Sequence, residues 1–178
     1  VIVREFITDR TRTLSDTVVI SNLAILSENE KKIILNRLLQ TDSSFRQVAI
    51  FNAQRQVVTK TSQLSLVAFD RFAQRVDSDL FAHVISGETH MTSVYFDDAT
   101  NEPLLLIATP LIDSFGEFQG ALVAEVNLKF MWDVVADLKV GESGTAYVVD
   151  DKGYLLAFSD TFRVLKRENI KSLQEVTE

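Results

Sequence analysis

Cysteine is absent from the 178-residue chain, which removes disulfides, thiolate nucleophiles and cysteine-based zinc sites together and leaves the redox compartment open. Histidine is almost absent. His83 and His90 fall in different expected elements, and no carboxylate stands beside either at a metal-binding spacing. The six glycines lie singly at expected turns and caps, so the chain has neither a P-loop nor a G-x-G-x-x-G run. A G-x-S-x-G nucleophile elbow is missing as well. No apolar run approaches the roughly 20 residues that span a bilayer, and no signal peptide is present. Basic residues are outnumbered 18 to 25, for a formal net charge of -7. Lys31-Lys32 and Lys166-Arg167 do not extend into a patch, so nucleic acid is excluded as a partner. The expectation is a non-catalytic chain with no metal and no cofactor. With 46% hydrophobic and 24% charged residues it has the composition of a chain that folds around a core. It begins Val1-Ile2-Val3 without an initiator methionine and stops in Glu175-Val176-Thr177-Glu178, so it is expected to be part of a longer protein whose membrane anchors lie outside it.

Residues 4–26 contain no proline or glycine and carry Phe6, Ile7, Leu14, Val18, Leu23, Ala24 and Ile25 at loose helical spacing, which predicts a long amphipathic helix. These apolar residues are too many for one narrow face, so the helix is expected to offer a dimer seam as well. Ser27-Glu28-Asn29-Glu30 has the form of a capping box and opens a second helix over residues 28–40. The period then changes. Residues 47–51 and 56–59 are β-rich runs around Asn52-Ala53-Gln54-Arg55, a hairpin signal. Residues 66–86 return to helical spacing and end at Gly87, a C-cap. Strands are expected at 89–96, 103–112 and 118–128, forming a meander in the same sheet, and a helix at 129–139. After the break Gly141-Glu142-Ser143-Gly144, a second hairpin joins 146–149 to 154–158 around Asp150-Asp151-Lys152-Gly153, and 161–178 read as loop and short helix. Residues 146–156 can be laid over 48–58 as a pattern repeat, or the match is chance. A two-stranded sheet is marginal alone, so this last part is incomplete or leans on the first.

Several stretches together resemble the double Cache (dCache, PAS-like) sensor domain of bacterial and archaeal receptors. They are residues 45–58, the segment from Thr100-Asn101-Glu102-Pro103 through Ile107-Ala108-Thr109-Pro110-Leu111-Ile112-Asp113, the run Phe118-Gln119-Gly120-Ala121-Leu122-Val123, and residues 141–153. The resemblance implies an α+β fold: a long N-terminal helix, a PAS-like mixed or antiparallel sheet lobe, and the start of a second, smaller PAS-like lobe. The corresponding domains are 1–44 for the helical stalk and second helix, 45–140 for a membrane-distal ligand-binding lobe, and 141–178 for the beginning of a membrane-proximal lobe. It also implies an extracytoplasmic place between transmembrane helices, a small-molecule ligand, a homodimer through the N-terminal helix, and an output through a histidine kinase, chemoreceptor or diguanylate cyclase. Two other readings stay open: a cytosolic PAS-type module for a cofactor or protein, and an enzyme or transport-associated binding protein.

Glu125 is the acidic residue that stands out, because it lies inside the apolar strand Gly120-Ala121-Leu122-Val123-Ala124-Glu125-Val126. Alternation puts it on one face with Val123 and Ala121, either toward a pocket or on an exposed sheet edge. In amino-acid-binding members of the resembled family an Asp at this place takes the ligand amine and a Tyr on the first meander strand lines the pocket. Glu125 and Tyr95 match those positions. The family's Arg-x-Trp-Tyr run is missing here, the nearest residues being Arg71, Arg75, Asp77, Asp79 and Phe81. The expected ligand-binding set is therefore Tyr95 and Glu125 facing the pocket, Phe72 and Phe81 as an apolar wall, Arg75 for an anionic group and Thr109 for a hydrogen bond. An ionised Glu125 would favour a cationic or strongly donating ligand and disfavour a purely anionic one.

Overall fold

A computed structural model describes residues 2–63, 71–138 and 144–172. The fold is α+β, an N-terminal helix followed by an antiparallel sheet, as expected. Helix α1 (Ile2–Ile20) buries Leu14 and Val18, one turn apart. It is six residues shorter at its C-terminal end than its apolar spacing suggests. Asn22 adopts a left-handed φ of 50°, a conformation that asparagine tolerates better than most residues and that breaks the helix. Leu23–Ile25 then form a single 3₁₀ turn whose Leu23 is buried. Helix α2 (Glu28–Thr41) opens on the complete capping box: the Ser27 hydroxyl accepts from the Glu30 N–H, and Glu30 accepts from the Ser27 N–H at 2.9 Å. Its buried stripe is Leu35, Leu38 and Leu39.

Strands β1 (Phe45–Asn52) and β2 (Val57–Ser62) form the expected hairpin. Helices α3 (Phe72–Arg75) and α4 (Ser78–Ile85) follow, and Gly87 closes the segment at φ 90°. The part of the expected helical run at 66–70, including Phe69, lies outside the described residues. The strand expected at 89–96 is two short pieces, β3 (His90–Met91) and β4 (Tyr95–Phe96), each paired with β5 (Pro103–Ile112). With β6 (Phe118–Asn127) the sheet order is β2-β1-β6-β5-β3, with β4 also on β5. The earliest and latest long strands are thus neighbours at the centre, where β1 runs antiparallel to β6 from Phe45 opposite Val126 to Asn52 opposite Gly120. On the side of β2 that carries Thr61, the hydroxyl donates to Asn36 of α2 at 2.6 Å, so α2 covers that face of the hairpin.

Two compact units result. One comprises Val1–Thr92 and Leu105–Val126, the other Ser93–Leu104 and Asn127–Glu178. Within the second, helix α5 (Phe130–Asp137), the hairpin of β7 (Tyr147–Val149) and β8 (Leu155–Phe158), and helix α6 (Thr161–Leu165) surround a core of Leu155, Val164 and Ile170. Phe96 and Trp132 pack against this core, and the Trp132 indole donates to the Leu156 carbonyl at 2.9 Å. The expected break at 141–143 and the tail at 173–178 lie outside the described residues.

The hairpin likeness seen in the sequence is a shared turn. Asn52 accepts the N–H groups of Gln54 and Gln56 on its side chain, and Asp150 accepts those of Lys152 and Tyr154 in the same way. The fourth residue of each turn is left-handed, Arg55 at φ 60° and Gly153 at φ 88°. The β5–β6 connection has the same construction: Asp113 accepts from Phe115 and Glu117, and Gly116 is at φ 83°. Three hairpins therefore close on one chemistry, a side chain that mimics a backbone turn followed by a residue able to reach positive φ.

Candidate functional site

Glu125 lies in β6, an interior strand between β1 and β5, and only 3% of it is exposed. It is therefore not on a sheet edge. A carboxylate so placed is costly unless compensated, and the compensation comes from β1. Gln47, directly opposite in register, donates its Nε2 to Glu125 Oε2 at 2.8 Å. Arg46 would point to the other face in an unbroken strand. The pairing, however, passes from Phe45↔Val126 straight to Gln47↔Glu125, leaving Arg46 as an extra residue. That irregularity brings Arg46 Nε to 3.7 Å from Glu125 Oε2, with both side chains buried. A bulge re-aiming one side chain is the usual consequence of an inserted residue.

The next row of the same face runs Lys60, Ala49, Val123, and the one after it Val57, Phe51, Ala121. Lys60 reaches over the short Ala49 and places Nζ 5.2 Å from the centre of the Phe72 ring. Burial pushes the Lys60 ammonium below its ordinary range, and the negative charge of Glu125 works in the opposite direction. Phe51 meets Phe72 at 6.2 Å and Phe81 at 6.3 Å between ring centres, and Phe81 meets Phe118 edge-on at 6.1 Å. Helices α3 and α4 are thereby held over this sheet face by aromatic contacts. The outcome is a buried ionic cluster beside an aromatic wall, with Lys60 joined to both.

Of the six residues expected at the site, the structure brings Glu125, Phe72 and Phe81 to this face. Arg75 is half-buried at the end of α3, one helical turn beyond Phe72. Thr109 is placed elsewhere in the unit. It accepts from Thr89 at 3.3 Å, Thr89 lies 3.5 Å from Ser15 of α1, and these three hydroxyls line a cavity of about 430 Å³ between α1 and β5. Tyr95 belongs to the second unit, where it pairs with Leu104. Arg46, Gln47 and Lys60 were not anticipated. The available signal was the polar pair Arg46-Gln47 opening an otherwise apolar strand. Among the described residues no group of three or more His, Asp or Glu side chains could hold a metal ion, and His83 and His90 stack on each other at 3.9 Å. Among them, too, no helix is long and apolar enough to cross a membrane.

The Cache domain model matches residues 3–177, and the chain belongs to that family of sensor domains. No curated protein sequence matches it. Among solved structures, it resembles the ligand-binding domain of the Pseudomonas aeruginosa amino acid chemoreceptor PctC in complex with GABA, with a TM-score of 0.70 and 20% identity over 96% of this chain and 74% of that one. The extracellular domain of mmHK1S-Z2, assigned as a histidine kinase, gives a TM-score of 0.74 at 14% identity, covering 96% and 72%. The ligand-binding domain of the Pseudomonas fluorescens chemoreceptor CtaA in complex with L-serine gives 0.66 at 20% identity, covering 96% and 70%. At such identities the likeness is one of fold.

Proposed function

We propose that this Cache domain is the extracytoplasmic ligand-sensing part of a transmembrane receptor, a chemoreceptor, sensor histidine kinase or diguanylate cyclase, and that it takes a small molecule on the β1–β6 face of its first unit. The observation that carries this reading is the buried cluster of Arg46, Gln47 and Glu125 with Lys60 beside an aromatic wall. Charged groups of both signs are a poor way to stabilise a sheet, since apolar residues of similar volume usually do as well or better. Their concentration on one face is what a binding site for a charged or polar ligand requires. Structural relatives that hold amino acids or GABA support the same class of ligand.

Signal transfer in this reading runs through α1 toward flanking transmembrane helices. A dimer formed through α1 is supported by Val19 and Ile20, which are 77% and 82% exposed at its C-terminal end. The test is a thermal-shift screen of amino acids, amines and small carboxylates on the wild type, Glu125→Gln and Lys60→Met. A ligand at a hundred times its Kd adds about 2.7 kcal/mol. That corresponds to a Tm rise of about 5–10 °C for a chain of this size. Hits unchanged in both variants would remove the site from this face.

A further inference from the structure

We propose that the first unit carries a second small-molecule site, the cavity between α1 and β5, and that this site takes a neutral polyol of monosaccharide size. The cavity has a volume of about 430 Å³, within the range of about 300–1,000 Å³ usual for ligand pockets. Helix α1 lines it with Ser15 and Val18, the segment before β3 with Thr89, and β5 with Thr109, Pro110 and Ile112. None of Arg46, Gln47, Lys60 and Glu125 lines it, so the two sites stand or fall separately.

The order of the hydroxyls sets what the cavity offers. Thr89 donates to Thr109 at 3.3 Å. A threonine has one hydroxyl hydrogen, so in the 3.5 Å contact of Ser15 with Thr89 the donor is Ser15. The bonds therefore run from Ser15 through Thr89 to Thr109, each polarising the next, and the series ends on the Thr109 hydrogen. Thr109 is 4% exposed, and among the described residues no group accepts that hydrogen. A buried donor of this kind gains from an acceptor placed in the cavity beside it. At the other end Ser15 keeps oxygen lone pairs that can accept.

Charge narrows the ligand further. Among the described residues no lysine, arginine or histidine lines the cavity, and the one charged lining residue is Asp113. Its carboxylate already accepts from the Phe115 and Glu117 N–H groups and from the Gln119 amide. A carboxylate ligand would enter without a counter-charge. An ammonium has donors only, so it leaves the Thr109 hydrogen unmatched. An alcohol can accept from Thr109 and donate to Ser15, and a polyol repeats that pairing on one compact frame whose C–H faces suit Val18, Pro110 and Ile112. Bound there, it would tie α1 to the sheet.

The test is an NMR titration of the full chain with glucose, glucuronate and glucosamine, pyranoses that differ in charge, with ribose as a further neutral arm. Glucose or ribose should shift the amide resonances of residues 15–22 and 109–114 and slow hydrogen exchange in the C-terminal half of α1, and the two charged sugars should bind more weakly than glucose. Thr109→Val removes the donor at nearly constant volume and should weaken the neutral sugar about 2- to 10-fold, the range of one neutral hydrogen bond. Thr109→Ser, which keeps the hydroxyl, should retain it. Circular dichroism on each variant separates loss of binding from loss of fold. Tighter binding of glucuronate or glucosamine than of glucose would overturn the neutral class, and equal affinity in the wild type, Thr109→Val and Ser15→Ala would overturn the hydroxyl assignment. Shifts confined to β1 and β6 and lost in Glu125→Gln would place the sugar on the other face, leaving that reading standing and this one refuted. If no neutral sugar shifts the lining residues, solvent is the cavity's only occupant and the proposal falls.

Discussion

Replacing Glu125 by Ala is the most informative single change to the fold, because its cost follows from three contacts. The substitution removes the acceptor of the 2.8 Å bond from Gln47 and the counter-charge 3.7 Å from Arg46, whose side chain is 8% exposed. It also removes the negative charge that favours protonated Lys60. Deleting one member of a buried pair typically costs about 3–5 kcal/mol, most of it from the charge left behind. The Arg46 separation is longer than a direct hydrogen bond, which places this case near the lower end, at about 3 kcal/mol. With a urea m-value of about 2 kcal/mol/M the unfolding midpoint should fall by about 1.5 M. The double variant Arg46→Met with Glu125→Leu should recover most of that loss, since neither charge then remains buried without the other. A loss under about 1 kcal/mol for Glu125→Ala would refute the reasoning, as would a double variant as unstable as the sum of its parts.

Two further outcomes bear on the scaffold. Ser27→Ala should lower stability by about 1 kcal/mol through loss of the α2 cap. The Ser27 hydroxyl, and then its backbone N–H, hold Glu30 below its ordinary value of 4.5, so the stabilisation is present above that pH and is lost as pH falls through the lower folded value. Urea midpoints measured across this acid range should therefore fall more steeply for the wild type than for Ser27→Ala. Gly120→Ala should be far more damaging than Gly116→Ala. A Cβ at Gly120 would stand 2.0 Å from the Phe51 carbonyl oxygen at φ 144°, whereas at Gly116 it would meet nothing within 4 Å and only the φ of 83° is unfavourable. About 1–2 kcal/mol is expected for Gly116→Ala, and loss of soluble folded protein for Gly120→Ala. Equal midpoints for the two would contradict the close packing of β1 on β6.

Much of the scaffold was legible because its signals are local. Ser27 and Glu30 lie three residues apart, and the turn residues Asn52, Asp113 and Asp150 each satisfy backbone donors two and four residues on. A pattern of this range can be read without knowing what lies across the sheet. The central pairing of β1 with β6 cannot. Phe45 and Val126 are far apart in the sequence, and the alternation in either strand is compatible with several neighbours. The stop at Asn22 was missed for a related reason, since apolar spacing continues through Ile25 while one left-handed residue ends the helix.

The candidate site was legible only in its acid and its aromatic rings. An apolar strand interrupted by one carboxylate announces Glu125 from sequence alone, and helical spacing announces Phe72 and Phe81. The partners of Glu125 depend on long-range register and on the extra residue at Arg46, and periodicity assigns Arg46 and Gln47 to opposite faces. Lys60 sits in Thr59-Lys60-Thr61, a run whose polarity suggests a solvated strand, and only the pairing of Lys60 with Ala49 puts it on the face that Glu125 occupies. A buried carboxylate therefore does not by itself define the sign of its ligand. Glu125 already meets Gln47 at 2.8 Å and Arg46 at 3.7 Å inside its own fold, and both contacts come from β1.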